Sequence, residues 1–79
     1  MLIIWDEAKR AANLAKHGMD FADLDYDFFL SSSVVPARTP RRKALGALAG
    51  KSVVVIFQLY GSEAISVISM RPAARGERP

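Results

Sequence analysis

The N-terminal part of the chain places small apolar residues at helical spacing. Alanines recur at positions 8, 11, 12 and 15, which fall on one side of a helix with 3.6 residues per turn. Asp6 can cap such a helix and Gly18 can end it, so the spacing predicts a helix from Glu7 to His17. The alanine stripe is its predicted buried face, with Lys9, Asn13 and Lys16 on a polar face. A short β-prone run, Leu2–Trp5, precedes it.

A second helix is predicted immediately afterwards. Asp20 is a suitable N-cap, and the helix should end near Leu30, before three serines that favour a loop or a strand start. Its predicted core face consists of Phe21, Leu24 and Phe28.

The C-terminal half shows the pattern of strands. Residues Ser52–Tyr60 are β-branched and aromatic with apolar groups on both faces, which predicts a central strand. Gly61-Ser62 suggests a two-residue turn, and Glu63–Met70 the returning strand of a hairpin. Before them, Val34-Val35 predicts a short edge strand, and residues 41–48 predict another strand with a bulge or weak point at Gly46.

These elements predict an α+β fold in which two N-terminal helices pack on an antiparallel sheet, as a single domain over residues 1–79. Helices can cover only one face of that sheet. We therefore expect an exposed apolar patch on the other face, formed by Val54, Ile56 and Tyr60 or by the apolar residues of the opposite side of that strand, which would bind a partner or a second copy of the chain. The size of the chain supports this expectation, since a domain this small buries only about 60% of its unfolded surface.

Composition excludes several classes of protein. The 79 residues contain no cysteine and one histidine, so neither a disulfide framework nor a common zinc cage is expected, and no motif indicates a cofactor or a metal. The longest apolar run, Val53–Phe57, is too short to cross a membrane. Met1–Ile4 meets two acids before a signal peptide could form, so we expect a cytoplasmic protein. The proline- and glycine-containing tail from Pro72 to Pro79 should be a frayed basic segment.

Charge is distributed unevenly along the chain. Residues 1–35 carry three basic and six acidic groups, whereas residues 36–79 carry eight basic and two acidic groups. The formal net charge is therefore −3 in the first half and +6 in the second, a difference of nine. Such asymmetry suggests that the C-terminal half meets a polyanion or an acidic partner, although solubility alone also requires surface charge.

The candidate chemistry rests on cations. Arg42 begins one predicted strand and Arg71 ends another, so both could meet on one side of the sheet and hold a phosphate. Cleavage of RNA without a metal requires cations that stabilise a charged phosphorane and a group that moves protons. Taken singly, His17 at a helix end and the run Arg38, Arg41, Arg42 and Lys43 are each better explained as solvated surface.

Several motifs together resemble the BrnT family of type II toxins. They are Trp5-Asp6-Glu7-Ala8-Lys9, Asn13-Leu14-Ala15-Lys16-His17-Gly18 with Phe21, the glycines at 46 and 50, and the ending Val67-Ile68-Ser69-Met70-Arg71-Pro72-Ala73. The resemblance spans nearly the whole chain. It implies a RelE-like fold, a metal-independent endoribonuclease that arrests growth, and a BrnA-like ribbon-helix-helix antitoxin through which operator DNA is bound.

The resemblance also implies roles for particular residues. Arg42 and Arg71 would stabilise the scissile phosphate, and Lys16 and His17 would assist by charge or proton transfer. Further cations would bind RNA: Arg38, Arg41, Lys43, Arg75 and Arg78. The chain has Ser66 where family members commonly have arginine, and the family's C-terminal helix pattern is cut short after Glu77-Arg78-Pro79. These departures keep a second function open, namely a catalytically degenerate relative that acts only as antitoxin partner and co-repressor.

Overall fold

A computed structural model describes residues 1–77 of the chain. It is an α+β structure with two α-helices and a five-stranded sheet among the described residues, which confirms the predicted fold class. In chain order the elements are β1 (Leu2–Trp5), α1 (Glu7–His17), a 3₁₀ turn (Phe21–Asp23), α2 (Tyr26–Ser31), β2 (Ser33–Pro36), β3 (Arg42–Leu48), β4 (Lys51–Tyr60), β5 (Ala64–Pro72) and a second 3₁₀ turn (Arg75–Glu77). None of the described helices is long and apolar enough to span a membrane.

The sheet is mixed, so the prediction of a purely antiparallel sheet was wrong. Strands lie in the order β1-β5-β4-β3-β2, and the last four form an antiparallel meander. The N-terminal strand β1 instead pairs in parallel with β5, from Leu2 beside Ala64 to Trp5 beside Val67. This pairing closes a long loop around both helices, and no local signal in the sequence specifies it.

The central strand is confirmed, since β4 lies in the middle of the sheet. It joins β3 through Ala49 and Gly50, whose φ angles of 51° and 79° are those that a two-residue hairpin turn requires. The turn into β5 has three residues, Gly61 to Glu63, rather than the two predicted, because Tyr60 pairs with Ala64.

Gly46 is not a bulge. It pairs regularly with Val53, and its role is steric, since a Cβ there would lie 2.8 Å from Phe28 Cε2. The irregularity in the sheet lies in β5 instead: Ile56 pairs with Ser69 and Phe57 with Val67, which leaves Ile68 as the extra residue.

The bounds of α1 are confirmed, but its predicted buried face was wrong. Asp6 caps the helix by accepting from the Ala8 and Lys9 amides, and Gly18 ends it with a φ of 67°. The four stripe alanines, Ala8, Ala11, Ala12 and Ala15, are exposed. Asn13, predicted to be polar surface, is the buried residue of this helix. The face that meets the sheet is therefore polar.

The predicted second helix is split in two. Asp20 caps only a 3₁₀ turn, Leu24 is extended, and Asp25 caps α2 by accepting from the Phe28 amide. The first cap is also tied to α1, because the Arg10 guanidinium donates to both Asp20 oxygens at 2.7 and 2.8 Å. This pair holds the pKa of Asp20 below its usual value.

The core lies between the sheet and the segment from the 3₁₀ turn through α2. Its buried members come from both layers: Phe21, Leu24, Phe28, Phe29, Ala44, Val53, Val55, Phe57, Ile65, Val67 and Met70. The opposite sheet face is less open than predicted. Tyr60 is exposed there, but Ile56 is half-buried and Val54 is completely buried.

Candidate functional site

Helix α1 lies along the edge of β5 that β1 leaves unpaired, and the candidate site is at this edge. Strand β1 pairs with β5 only as far as Val67, so the amide of Met70 has no strand partner on that side. Asn13 Oδ1 accepts from this amide at 3.0 Å, and its Nδ2 donates to the Met19 carbonyl at 3.2 Å. The buried Asn13 side chain thus accepts the hydrogen bond that a neighbouring strand would otherwise accept. This contact fixes α1 along the edge of the sheet.

A surface cleft of about 430 Å³ lies between this edge and α1. Its lining contains three cations and a histidine, namely Lys9, Lys16, His17 and Arg71, and also Ala12, Asn13, Ile68 and Ser69. The structure therefore brings together three of the four residues predicted to be catalytic: Lys16, His17 and Arg71. The cleft is positively charged and open to solvent, which suits an anionic polymer better than a small apolar ligand.

Arg71 is held by an internal carboxylate. Its Nη1 and Nη2 atoms donate to the Glu77 oxygens at 2.6 and 2.8 Å, which is bidentate Arg–carboxylate geometry. Glu77 also accepts from Lys43 Nζ at 3.2 Å and from the Ala74 amide at 2.9 Å. These donors, Arg71 foremost, hold the pKa of Glu77 far below its usual value, and the carboxylate in turn raises the pKa of Arg71.

This cluster covers the middle of the sheet face that the helices leave bare. Arg71 on β5 lies beside Val54, and Lys43 on β3 lies beside Ile56. A carboxylate that binds both cations must cross over β4, so Glu77 and its 3₁₀ turn lie above these two apolar residues. The tail was predicted to be frayed from Pro72 onward, but up to Glu77 it is anchored by this contact.

Arg42 does not join Arg71, so the predicted meeting of these two residues is wrong. Arg42 lies opposite Phe57 on β4, whereas Arg71 lies opposite Val54. Residues three apart on a strand point to opposite faces. Arg42 is accordingly on the helix side, where it lines an apolar groove with Phe29 and Phe57 among others.

The other predicted RNA-binding residues are spread over the surface. Arg38 and Arg41 lie in the exposed loop between β2 and β3, and Arg75 is exposed in the last 3₁₀ turn. Lys43 is half-buried in the cluster with Glu77. Arg78 lies outside the described residues.

Sequence reasoning missed two residues that shape this region. Asn13 was placed on a polar face with Lys9 and Lys16, although it begins the motif Asn13–Gly18 that carries part of the family resemblance. Glu77 does carry a signal, because residues 64–79 are otherwise basic and Glu77 is their one acid. An isolated acid in a basic tail suggests an internal partner for a cation.

The cleft at the edge of the five-stranded mixed sheet combines cations with a histidine, and its charge is suited to an anionic ligand. The chain matches the family described as "Ribonuclease toxin, BrnT, of type II toxin-antitoxin system" over residues 5–77. It is also similar to the ribonuclease toxin BrnT of Brucella abortus, whose 1.1 Å crystal structure it matches with 55% identity and a TM-score of 0.90, covering 95% of this chain and 99% of that one. A search of curated proteins finds no significant match. The chain belongs to the BrnT family of type II toxins.

Proposed function

We propose that this toxin is a metal-independent endoribonuclease, of RelE-like fold, that inhibits growth by cleaving RNA in the cytoplasm. The observation that carries the proposal is the cleft in which Arg71, Lys16 and His17 lie together at the edge of β5. Membership of a ribonuclease toxin family supports RNA as the polyanion.

The residues of the cleft fit the requirements of cleavage at a phosphodiester. Attack by the ribose 2′-hydroxyl on phosphorus produces a phosphorane with extra negative charge, which Arg71 and Lys16 would stabilise. The hydroxyl must lose a proton and the leaving oxygen must gain one. An imidazole can accept or donate a proton, and His17 supplies the imidazole of this cleft. Lys9 and the loop cations Arg38 and Arg41 would bind flanking phosphates.

RNA cleavage by purified variants in the presence of a chelator tests the assignment. We expect Arg71→Ala to lower the rate on the order of 10²-fold or more, because it removes a preorganised charge from the transition state. His17→Ala should cost less, since the cations remain. Arg42→Ala, on the other sheet face, serves as the matched control and should affect the rate least.

Two results would contradict this placement of the site. One is an Arg71→Ala variant that cleaves as fast as the wild type, and the other is an Arg42→Ala variant that loses as much activity as Arg71→Ala. Full activity that depends on an added metal would contradict the metal-independent mechanism.

A second function, antitoxin binding and co-repression without cleavage, is favoured by one observation. Glu77 occupies the hydrogen-bonding side of Arg71 that a phosphate would need. A folded wild type that is harmless on induction and leaves total RNA intact would support this alternative over the ribonuclease.

An antitoxin partner follows from the type II family, and we propose that it is a BrnA-like ribbon-helix-helix protein that carries the contact with operator DNA. One end of the bare sheet face exposes apolar side chains, which supports an antitoxin-binding site at that end. Leu2 and Tyr60 flank Ala64 in one row, and Ile4 lies in the next row, with exposed fractions of 68%, 55% and 41%. Sedimentation of the chain alone and with the product of the adjacent gene separates a homodimer from this complex.

A further inference from the structure

The Glu77 cluster has the composition of an anion-binding site already filled by the protein's own carboxylate. Two cationic side chains and a backbone amide converge on the Glu77 oxygens, all within 3.2 Å. A guanidinium fork, an ammonium group and a peptide N–H are the donors that proteins use to bind phosphate oxygens.

We propose that Arg71, Lys43 and the Ala74 amide form a slot for an RNA backbone phosphate, which Glu77 fills in the free protein and vacates when RNA binds. This inference rests on the proposed action on RNA and adds a residue that regulates access to that site. It also assigns Lys43, which lies on β3 away from the edge cleft, to the same RNA-binding surface as Arg71.

The position of the slot supports its use by RNA. Arg71 belongs both to the slot and to the edge cleft that contains Lys16 and His17. A chain of phosphates that entered the cleft could therefore continue over β5 to Lys43. Neighbouring phosphates along one RNA strand would then contact the two ends of this surface.

The charge state of Glu77 favours a blocking role over proton transfer. Its pKa is held far below the usual value by Arg71, the Ala74 amide and Lys43, so the paired carboxylate is a weak base at neutral pH. What it can do is compete with a phosphate for the same donors. The side chains of Glu77, Lys43 and Arg71 retain 19%, 31% and 35% of their exposure, so solvent and ligand can reach the contact.

The test measures binding of a 2′-O-methyl RNA oligonucleotide, which lacks the attacking hydroxyl and cannot be cleaved. Glu77→Gln removes the competing charge and keeps the side-chain shape. Glu63→Gln is the matched control, because it changes net charge equally at an exposed residue in the turn before β5. We expect Glu77→Gln to bind about tenfold tighter than wild type and Glu63→Gln less than about threefold tighter, since a distant charge is screened.

A double variant identifies the donors of the slot. Lys43→Met together with Glu77→Gln should lose most of the gain in affinity that Glu77→Gln shows alone. Equal gains for Glu77→Gln and Glu63→Gln would overturn the proposal, and so would weaker binding by a folded Glu77→Gln.

A second measurement uses the wild type and does not depend on how a variant folds. The carboxyl carbon of Glu77, followed by NMR, should titrate nearer the ordinary glutamate range in the RNA complex than in the free protein, because the carboxylate has left its donors. An unchanged titration would overturn the slot. A protein that cleaves ordinary RNA but fails these binding tests would support the ribonuclease proposal and contradict the slot. Tighter binding by Glu77→Gln without any cleavage would support the slot and contradict the ribonuclease proposal.

Discussion

The two faces of the sheet are built from different interactions. On the helix side, Phe21, Phe28 and Phe57 pack among other apolar side chains, and each is at most 4% exposed. On the other side, the middle of the sheet is covered by an ion cluster, Arg71 and Lys43 around Glu77, which remains partly exposed to solvent. Apolar burial stabilises a fold strongly, while partly exposed ion pairs contribute little. The helix side therefore stabilises the fold, and the opposite face is available for function.

The largest effect should follow from emptying the helix side. Phe21 is fully buried and its ring packs edge-on against Trp5 at 6.4 Å between centroids. We expect Phe21→Ala to cost about 3–5 kcal/mol in the free energy of unfolding, measured by urea denaturation, because it removes buried area and leaves a cavity. Lys43→Met on the opposite face is the comparison variant. A similar loss for both would contradict the division between the faces.

A smaller effect should come from overfilling the same core. A Cβ at Gly46 would lie 2.8 Å from one atom of the Phe28 ring and 3.2 Å from another, so α2 or β3 must shift to admit it. We expect Gly46→Ala to cost about 1–3 kcal/mol in the same measurement.

Gly76 provides the matched control for that substitution. A Cβ built there meets nothing within 4 Å, so Gly76→Ala should change stability little. If Gly46→Ala were as stable as Gly76→Ala, the contact between α2 and β3 would be looser than the structure has it.

The sequence predicted elements whose signals are local. The caps at Asp6 and Gly18 gave the bounds of α1, and the two-sided apolar pattern gave the central strand β4. It did not predict the parallel pairing of β1, because that contact joins residues about sixty positions apart along the chain. The missing β1 pairing also explains why the alanines were wrongly predicted to be buried. Helix α1 lies along a sheet edge that only this pairing defines, and there Asn13 can accept a hydrogen bond from the Met70 amide, which an apolar side chain cannot do.

The candidate site was predictable as a set of residues and not as an arrangement. Lys16, His17 and Arg71 do line one cleft, but whether Arg42 could join them depended on strand register. A shift of one residue in pairing moves a side chain to the other face. The two-residue turn at Ala49 and Gly50 sets that register, and it places Arg42 on the helix side.

The smallest effect concerns the ion cluster and is visible in its dependence on pH. The pKa of Glu77 is lowered by its hydrogen bonds to Arg71, the Ala74 amide and Lys43, from an ordinary value of 4.5. A carboxyl whose pKa is lower in the folded chain stabilises that chain above its ordinary pKa, and this contribution is lost as the pH falls toward the folded value. Wild type should therefore exceed Glu77→Gln in melting temperature at neutral pH, and the gap should narrow steadily below pH 4.5. Added salt should narrow it as well, because the cluster is partly exposed. Asp20, whose pKa is also lowered, is present in both proteins and cancels in the difference. A difference in melting temperature that stays constant from neutral pH to about pH 3 would show that Glu77 stabilises the tail by packing and not by charge. The contrast between an apolar face and an ionic face would then be wrong.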